Sequence, residues 1–222
     1  MLKVLRLALL ILIGLLEISN SVAYAQSGSL MQCAEKFLRA RQELDASKPA
    51  KLLGLTVLID PDAAKRQQIQ QEWTECVRGK PIPPLTFKTI AGESYEQASL
   101  VGKIIVINFW FMGCAPCRQE MPALNRLVNE YRGKDVLFLG FATDKAEQLK
   151  SSYFAQNRFD FKIIGDAYPI AKSFFVLGYP TTFVVDGNGV VRDMWLGVGM
   201  DKLEPYHKAK LTIDKLLAAG KK

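Results

Sequence analysis

Apolar and polar positions follow two different rhythms along this chain. Over residues 30–47 (LMQCAEKFLRARQELDAS) and 61–78 (PDAAKRQQIQQEWTECVR), apolar residues are spaced through polar sequence at helical intervals. Pro61 suits the first turn of the second segment. The two segments predict a helical hairpin joined by KPAKLLGLTVLID, within which LTVLI has extended character. GKPIPP at 79–84 then interrupts the pattern, because neighbouring prolines disfavour both helix and central strand. A domain boundary is expected there.

Past that boundary, short apolar runs alternate with amphipathic stretches. Leu85–Ile90 and Lys103–Trp110 predict strands, the second of them buried (IIVINFW). A helix is expected from Ala115 to Tyr131, a strand over Val136–Ala142 and a helix over Lys145–Asn157. Phe161–Ile164 predicts a short strand and Tyr168–Phe175 a short helix. Thr182–Val185 and Val190–Leu196 flank Asp186-Gly187-Asn188-Gly189, a strong hairpin signal, and a final helix covers Lys202–Ala219. Helices alternating with strands imply parallel pairing through crossovers, and the closing hairpin makes the sheet mixed. The expected class is therefore α/β.

Composition narrows the picture. The 222 residues suit one domain plus an extension, and 49% hydrophobic against 23% charged residues allows a core that needs no metal staple. The formal charge of +7 is scattered, with no basic stripe carrying interleaved aromatics, so a nucleic-acid surface is not expected. The charge reads as solvation, with some preference for acidic partners or membrane surfaces. At the N-terminus two basic residues precede the apolar run Leu7–Leu16, and Ala23-Tyr24-Ala25 places small residues before Gln26. That is the layout of a secretory signal peptide over residues 1–25. The apolar run ends at Glu17, short of the ~20 residues of a spanning helix. Cleavage and an exported, periplasmic-type compartment are expected, where disulfides persist. The alternative is a retained membrane anchor facing the same compartment. Gln32 is a poor residue to precede a lipidated Cys33, so a lipoprotein is not expected.

Cys114-Ala115-Pro116-Cys117 follows a strand and opens a helix. A thiol at a helix N-terminus faces unpaired N–H groups and the positive end of the macrodipole, which favour the thiolate. Each pH unit of lowering corresponds to about 1.4 kcal/mol. Cys117 lies one turn on and is placed to attack a mixed disulfide. Pro116 removes an N–H that has no partner in a first turn anyway. A structural zinc site usually takes four Cys or His ligands, but only Cys33, Cys76 and His207 remain, far apart in sequence. A purely structural bridge is also disfavoured, because a four-residue loop is strained and the domain has a full core. No metal and no bound cofactor are expected beyond the cysteine pair.

Here the chain resembles a family. Asn108-Phe109-Trp110, Cys114-Ala115-Pro116-Cys117, Glu120 and Pro122, followed by Gly178-Tyr179-Pro180-Thr181-Thr182, are similar to the thioredoxin-like thiol–disulfide oxidoreductases of the TlpA/ResA group. The resemblance covers about residues 80–220, in order. It implies a thioredoxin fold, a mixed central sheet flanked by helices, with an extra strand–helix insert over Lys145–Phe175. The helical hairpin precedes it, so the expected division is 1–25, 26–79 and 80–222. The resemblance makes Cys114 the attacking and Cys117 the resolving cysteine. Glu120 takes the acidic position three residues after the second cysteine, on the same helix face, where a carboxyl can exchange the proton of resolution. Its bland alternative is a solvated helix residue. Asn108 stands where thioredoxin carries a buried Asp and cannot shuttle a proton, which directs attention to Glu120. Pro180 resembles the cis-proline facing the site, turning the Tyr179 backbone toward the sulfurs for an extended substrate. Pro122 marks the family's helix kink. Trp110 is expected to pack beside the site and, with Tyr179 and Gly113, to shape the substrate face. Gly113, where Trp is frequent, is expected to leave Cys114 less shielded.

Cys33 and Cys76 bracket the hairpin and form the natural remaining pair, a bridge worth roughly 3–5 kcal/mol by loop closure. A second redox pair taking electrons from Cys114 and Cys117 is the sharper alternative. The expected function is an exported thiol–disulfide oxidoreductase, more a reductant than an oxidant. Its partners would be protein thiols and disulfides together with an upstream electron donor such as a membrane thiol transporter. A monomer is expected. The competing readings are an oxidising, disulfide-forming protein, a thiol peroxidase or a copper-handling module. Phe111 occupies the place where a peroxidase usually carries Thr or Ser, and Cu(I) modules use wider cysteine spacing and a core His.

Overall fold

The computed structural model describes residues 30–46, 62–197, 199 and 201–220. The expected signal segment, the LTVLI stretch and Pro61 lie outside the described residues. Two helices come first, α1 over residues 30–46 and α2 over Ala63–Val77. Strands β1 (Thr86–Lys88) and β2 (Ser94–Glu96) form a two-stranded antiparallel sheet, followed by the single turn α3 (Gln97–Leu100). Then come β3 (Ile104–Trp110), α4 (Ala115–Glu130), β4 (Val136–Ala142), α5 (Ser151–Gln156), β5 (Lys162–Ile164) and α6 (Tyr168–Ser173). Strands β6 (Thr181–Val185) and β7 (Val191–Leu196) and helix α7 (Glu204–Ala219) complete the chain. The main sheet runs β5-β4-β3-β6-β7. β3, β4 and β5 pair in parallel, whereas β6 is antiparallel to β3 and to β7. This is a thioredoxin-like α/β fold with a mixed sheet, flanking helices, a strand–helix insertion and N-terminal helices.

All seven residues of β3 are buried, as a central strand covered on both faces requires. Its odd positions, Ile105, Ile107 and Phe109, meet Phe141, Phe174 and Phe183 in one core layer. Its even positions, Val106 and Trp110, face Met121, Leu124 and Leu127 of α4 and Ala209 and Ile213 of α7. Asn108 falls on this second face, a buried amide within an apolar stripe.

Helix α2 lies along the outer edge of β7, and α1 packs on α2. Cys33 and Cys76 are joined by a disulfide, with Cα atoms 5.7 Å apart, and Phe37 packs on Trp73 at 4.9 Å. From α2, Arg78 pairs with Asp193 at 2.7 Å, Thr74 reaches Met194 Sδ at 3.8 Å, and Gln70 Nε2 donates to the Leu196 carbonyl at 2.6 Å. Residues 79–82 continue along the start of that edge, Gly79 N–H donating to the Val191 carbonyl and Val191 N–H to the Lys80 carbonyl.

Two stretches depart from the expected elements. The helix expected over Lys145–Asn157 is broken into a 3₁₀ turn (Ala146–Gln148) and α5. Asp166 Oδ2 takes the Ala146 N–H at 3.0 Å, and the Leu149 side chain turns into the core, so the helical ladder cannot run through. β2 and α3 were not expected. Ser94–Glu96 alternates exposed and half-buried side chains over only three residues, and it is recruited by β1 across a turn in which Gly92 has φ +93°.

Candidate active site

The end of β3 and the start of α4 place the cysteines. Cys114 is the N-cap of α4, and its Sγ accepts from the Cys117 N–H at 3.2 Å. Pro116 occupies the first turn, where its missing N–H costs nothing. Cys114 and Cys117 are disulfide-bonded, with Cα atoms 5.3 Å apart.

The expected openness around Cys114 is not found: its side chain is 4% exposed although Gly113 itself is exposed. The loop before it is held down instead. Met112 N–H donates to Asp144 Oδ2 and Arg118 Nη1 donates to the Met112 carbonyl, both at 2.7 Å, and Phe111 packs edge-on against Tyr179 at 5.4 Å. Trp110, expected to help shape the substrate face, is wholly buried, stacked on Tyr153 at 5.8 Å and edge-on to Phe159. It backs the site and offers no surface to a partner. Its place on an even position of a fully covered strand is the reason.

Glu120 is 0% exposed, one turn past Cys117 on the covered face of α4. Asn108 Nδ2 donates to Glu120 Oε1 at 2.6 Å and to Thr182 Oγ1 at 2.9 Å. Burial pushes the Glu120 carboxyl up to about 8, against the opposing influence of the Asn108 amide and, more weakly, the Trp195 indole. That indole makes no hydrogen bond of normal geometry: Trp195 Nε1 and Glu120 Oε2 are both buried without a partner. A carboxyl in this setting is protonated at neutral pH.

Tyr179–Pro180 is a cis peptide. The Pro180 carbonyl accepts from the Gly197 N–H at 2.7 Å, and Thr181 Oγ1 donates to the Gly178 carbonyl at 2.7 Å, so the loop is pinned from both sides. Tyr179 is half-buried against Phe111, and burial raises its phenol. Among the described residues no three His, Cys, Asp or Glu side chains gather as a metal site would, and His207 is exposed on α7. The redox-capable groups are the two cysteine pairs. Thr182, Trp195, Asp144 and Arg118 were missed as site residues. Thr182 closes the quoted Gly178–Thr182 motif but its place beside Asn108 needed strand register, as did Trp195, and Asp144 carries no motif.

A disulfide at the head of a helix, beside a cis-proline loop, defines a thioredoxin-fold protein whose cysteine pair suits thiol–disulfide exchange. Residues 78–194 match the AhpC/TSA family, and the chain belongs to that family. It is 35% identical over 135 residues to the thioredoxin-like protein YneN of Bacillus subtilis, spanning 60% of this chain and 79% of that one. It is 33% identical to the thiol:disulfide interchange protein DsbE of Pseudomonas fluorescens biotype C, over 54% of this chain and 67% of that one. Among solved structures, the thioredoxin domain of a thiol-disulfide oxidoreductase from Bacteroides vulgatus superposes with a TM-score of 0.52 at 25% identity, covering 60% of this chain and 96% of that one. The chain is thus related, at low to moderate identity, to the ResA/DsbE branch of thiol-disulfide oxidoreductases.

Proposed function

We propose that this protein is an exported thiol–disulfide oxidoreductase of the TlpA/ResA type, reducing disulfides of protein partners through Cys114 and Cys117. The observation that carries the reading is the Cys114–Cys117 disulfide at the N-cap of α4 with the buried Glu120 one turn on. In the reduced protein the Cys114 thiolate attacks a partner disulfide. A Cys114–partner bond forms, and the partner's own S–S bond breaks with the electron pair on its other sulfur. Cys117 then passes its proton to the Glu120 carboxylate and attacks Cys114 Sγ, expelling the second partner sulfur as a thiolate. The product is the oxidised protein with a protonated Glu120, the form that a carboxyl pushed up to about 8 favours at neutral pH. An upstream thiol donor, such as a membrane thiol transporter, would reverse these steps.

Residues 1–25 serve in this reading as the export signal, 26–79 as an extension and 80–222 as the catalytic domain. Tyr179, Pro180 and Gly113 would contact the partner, with the Tyr179 backbone supplying main-chain groups. Peroxide reduction is less well served, since Phe111 has no hydroxyl to offer three residues before Cys114. Two single variants test the proposal. Cys114→Ser is expected to abolish insulin reduction, and Cys117→Ser to accumulate mixed disulfides with partners; full turnover by either refutes it. A potential for the Cys114–Cys117 couple near thioredoxin's ~−270 mV supports the reductive direction, and one near DsbA's ~−120 mV overturns it.

A further inference from the structure

Three polar side chains lie side by side beneath α4. Asn108 on β3 is directly opposite Thr182 on β6, which is directly opposite Trp195 on β7. Residues paired in this way share a sheet face, with Cβ atoms about 5 Å apart. Glu120 sits over the row, tied to Asn108. Two atoms in this enclosure have no partner, Glu120 Oε2 and Trp195 Nε1. Buried polar side-chain atoms are nearly always paired; the Trp73 and Trp110 indoles are also unpartnered, but only Trp195 stands beside an unpartnered acceptor whose carboxyl it influences. The indole nitrogen can only donate, and a carboxyl oxygen is a full acceptor only when ionised. The Asn108 amide nitrogen is already divided between Glu120 Oε1 and Thr182, so it does not supply Oε2.

We propose that Trp195 is a positioning residue for the ionised state of Glu120, its indole N–H becoming the hydrogen-bond donor to Oε2 once the carboxyl has lost its proton. The inference rests on the exchange reading above. In that cycle Glu120 is ionised while Cys117 holds the proton, before resolution. When Cys117 attacks Cys114, the proton returns to the carboxylate and the indole is released. The unpaired atoms of the oxidised structure are then the two halves of a bond that exists in the other redox states. The direction in which the indole already biases the carboxyl agrees with this. At the head of the same helix Cys114 and Cys117 titrate only when reduced, and Arg118 turns to the Met112 carbonyl. β3, β6 and β7 contribute Asn108, Thr182 and Trp195, and α7 brings the apolar Ala209 and Ile213. Among the described residues no cation pairs with Glu120.

The test is a titration of the oxidised wild-type protein, following the ¹⁵N–H resonance of the Trp195 indole and the ¹³C carboxyl of Glu120. Both are expected to move with one midpoint, while the Trp73 and Trp110 indoles serve as internal controls. Trp195→Phe keeps most of the ring and removes the N–H. Its Glu120 midpoint is expected to rise by about one pH unit, a tenfold smaller ionised fraction below the midpoint. An indole resonance flat through the Glu120 titration overturns the proposal, as does an unmoved midpoint in a folded Trp195→Phe. Should that variant not fold, the wild-type titration decides alone. A protein that shows the linked titration but exchanges no thiols would overturn the oxidoreductase reading and leave the Trp195–Glu120 pairing standing.

Discussion

Replacing Glu120 with Gln isolates the cost of the buried carboxyl. The native group titrates at about 8 against an ordinary value of 4.5. Between those two pH values the folded protein holds a proton that the unfolded chain has released. The folded pKa is the raised one, so this contribution to stability is full below pH 4.5 and is lost as pH rises through about 8. At 1.36 kcal/mol per pH unit, the whole span corresponds to about 5 kcal/mol, an order-of-magnitude figure. Glu120→Gln carries no proton to lose and keeps an acceptor for Asn108. The variant is expected to gain stability relative to wild type steadily from acid to alkaline pH, by a few kcal/mol once above the native midpoint. Urea denaturation of both oxidised proteins at acid, neutral and alkaline pH measures the difference, and groups titrating alike in the two proteins cancel. A stability difference that stays flat across this range would show that Glu120 is not held neutral by burial, and the assignment of its proton to the resolution step would fall with it. In the same variant, release of the partner by Cys117 should slow on the order of 10²-fold or more.

Three other outcomes are expected. Removing the extension's bridge with Cys33→Ala and Cys76→Ala opens a loop of 43 residues, worth about 4 kcal/mol by chain entropy; an unchanged urea midpoint would refute a stapling role. Asp144→Ala removes the acceptor of the Met112 N–H and should cost about 1–3 kcal/mol while making Cys114 of the reduced protein more readily alkylated; equal alkylation rates would dismiss the clamp. A Cβ added at Gly165 would come within 2.5 Å of the Ala146 Cα, so Gly165→Ala must displace backbone next to Asp144. It should lower thermal stability and raise Cys114 accessibility together, and a change in only one of them would separate the two segments.

Much of the architecture is readable from apolar spacing. β3 and β4 are long apolar runs, broken in β3 only by Asn108, and α4 and α7 carry apolar positions at helical intervals, so their bounds differ from expectation by two residues at most. The broken helix after β4 escaped because its interruption is imposed from outside, by Asp166 and by the close approach of Gly165. At the site, the two cysteines announce themselves by spacing, whereas Glu120 shows only which face of its helix it occupies. How deeply that face is covered depends on α4 lying over the sheet. The Asn108–Thr182–Trp195 row belongs to three strands separated in sequence, and nothing short of their register aligns it. Gly113 misled because the shielding of Cys114 comes from its neighbours' tethering and not from bulk at that position.

The seating of α2 and residues 79–82 along β7 bears on how a shortened chain would behave. Cut before residue 80, the domain would present the far side of β7 bare, with the Leu196 and Val191 carbonyls seeking partners. Such a margin is a template for adding strands from other molecules. The first contacts would form beside Gly197, whose N–H holds the Pro180 loop. Covering this margin is thus a consequence of where α2 sits, and its loss would leave an open sheet edge on the domain.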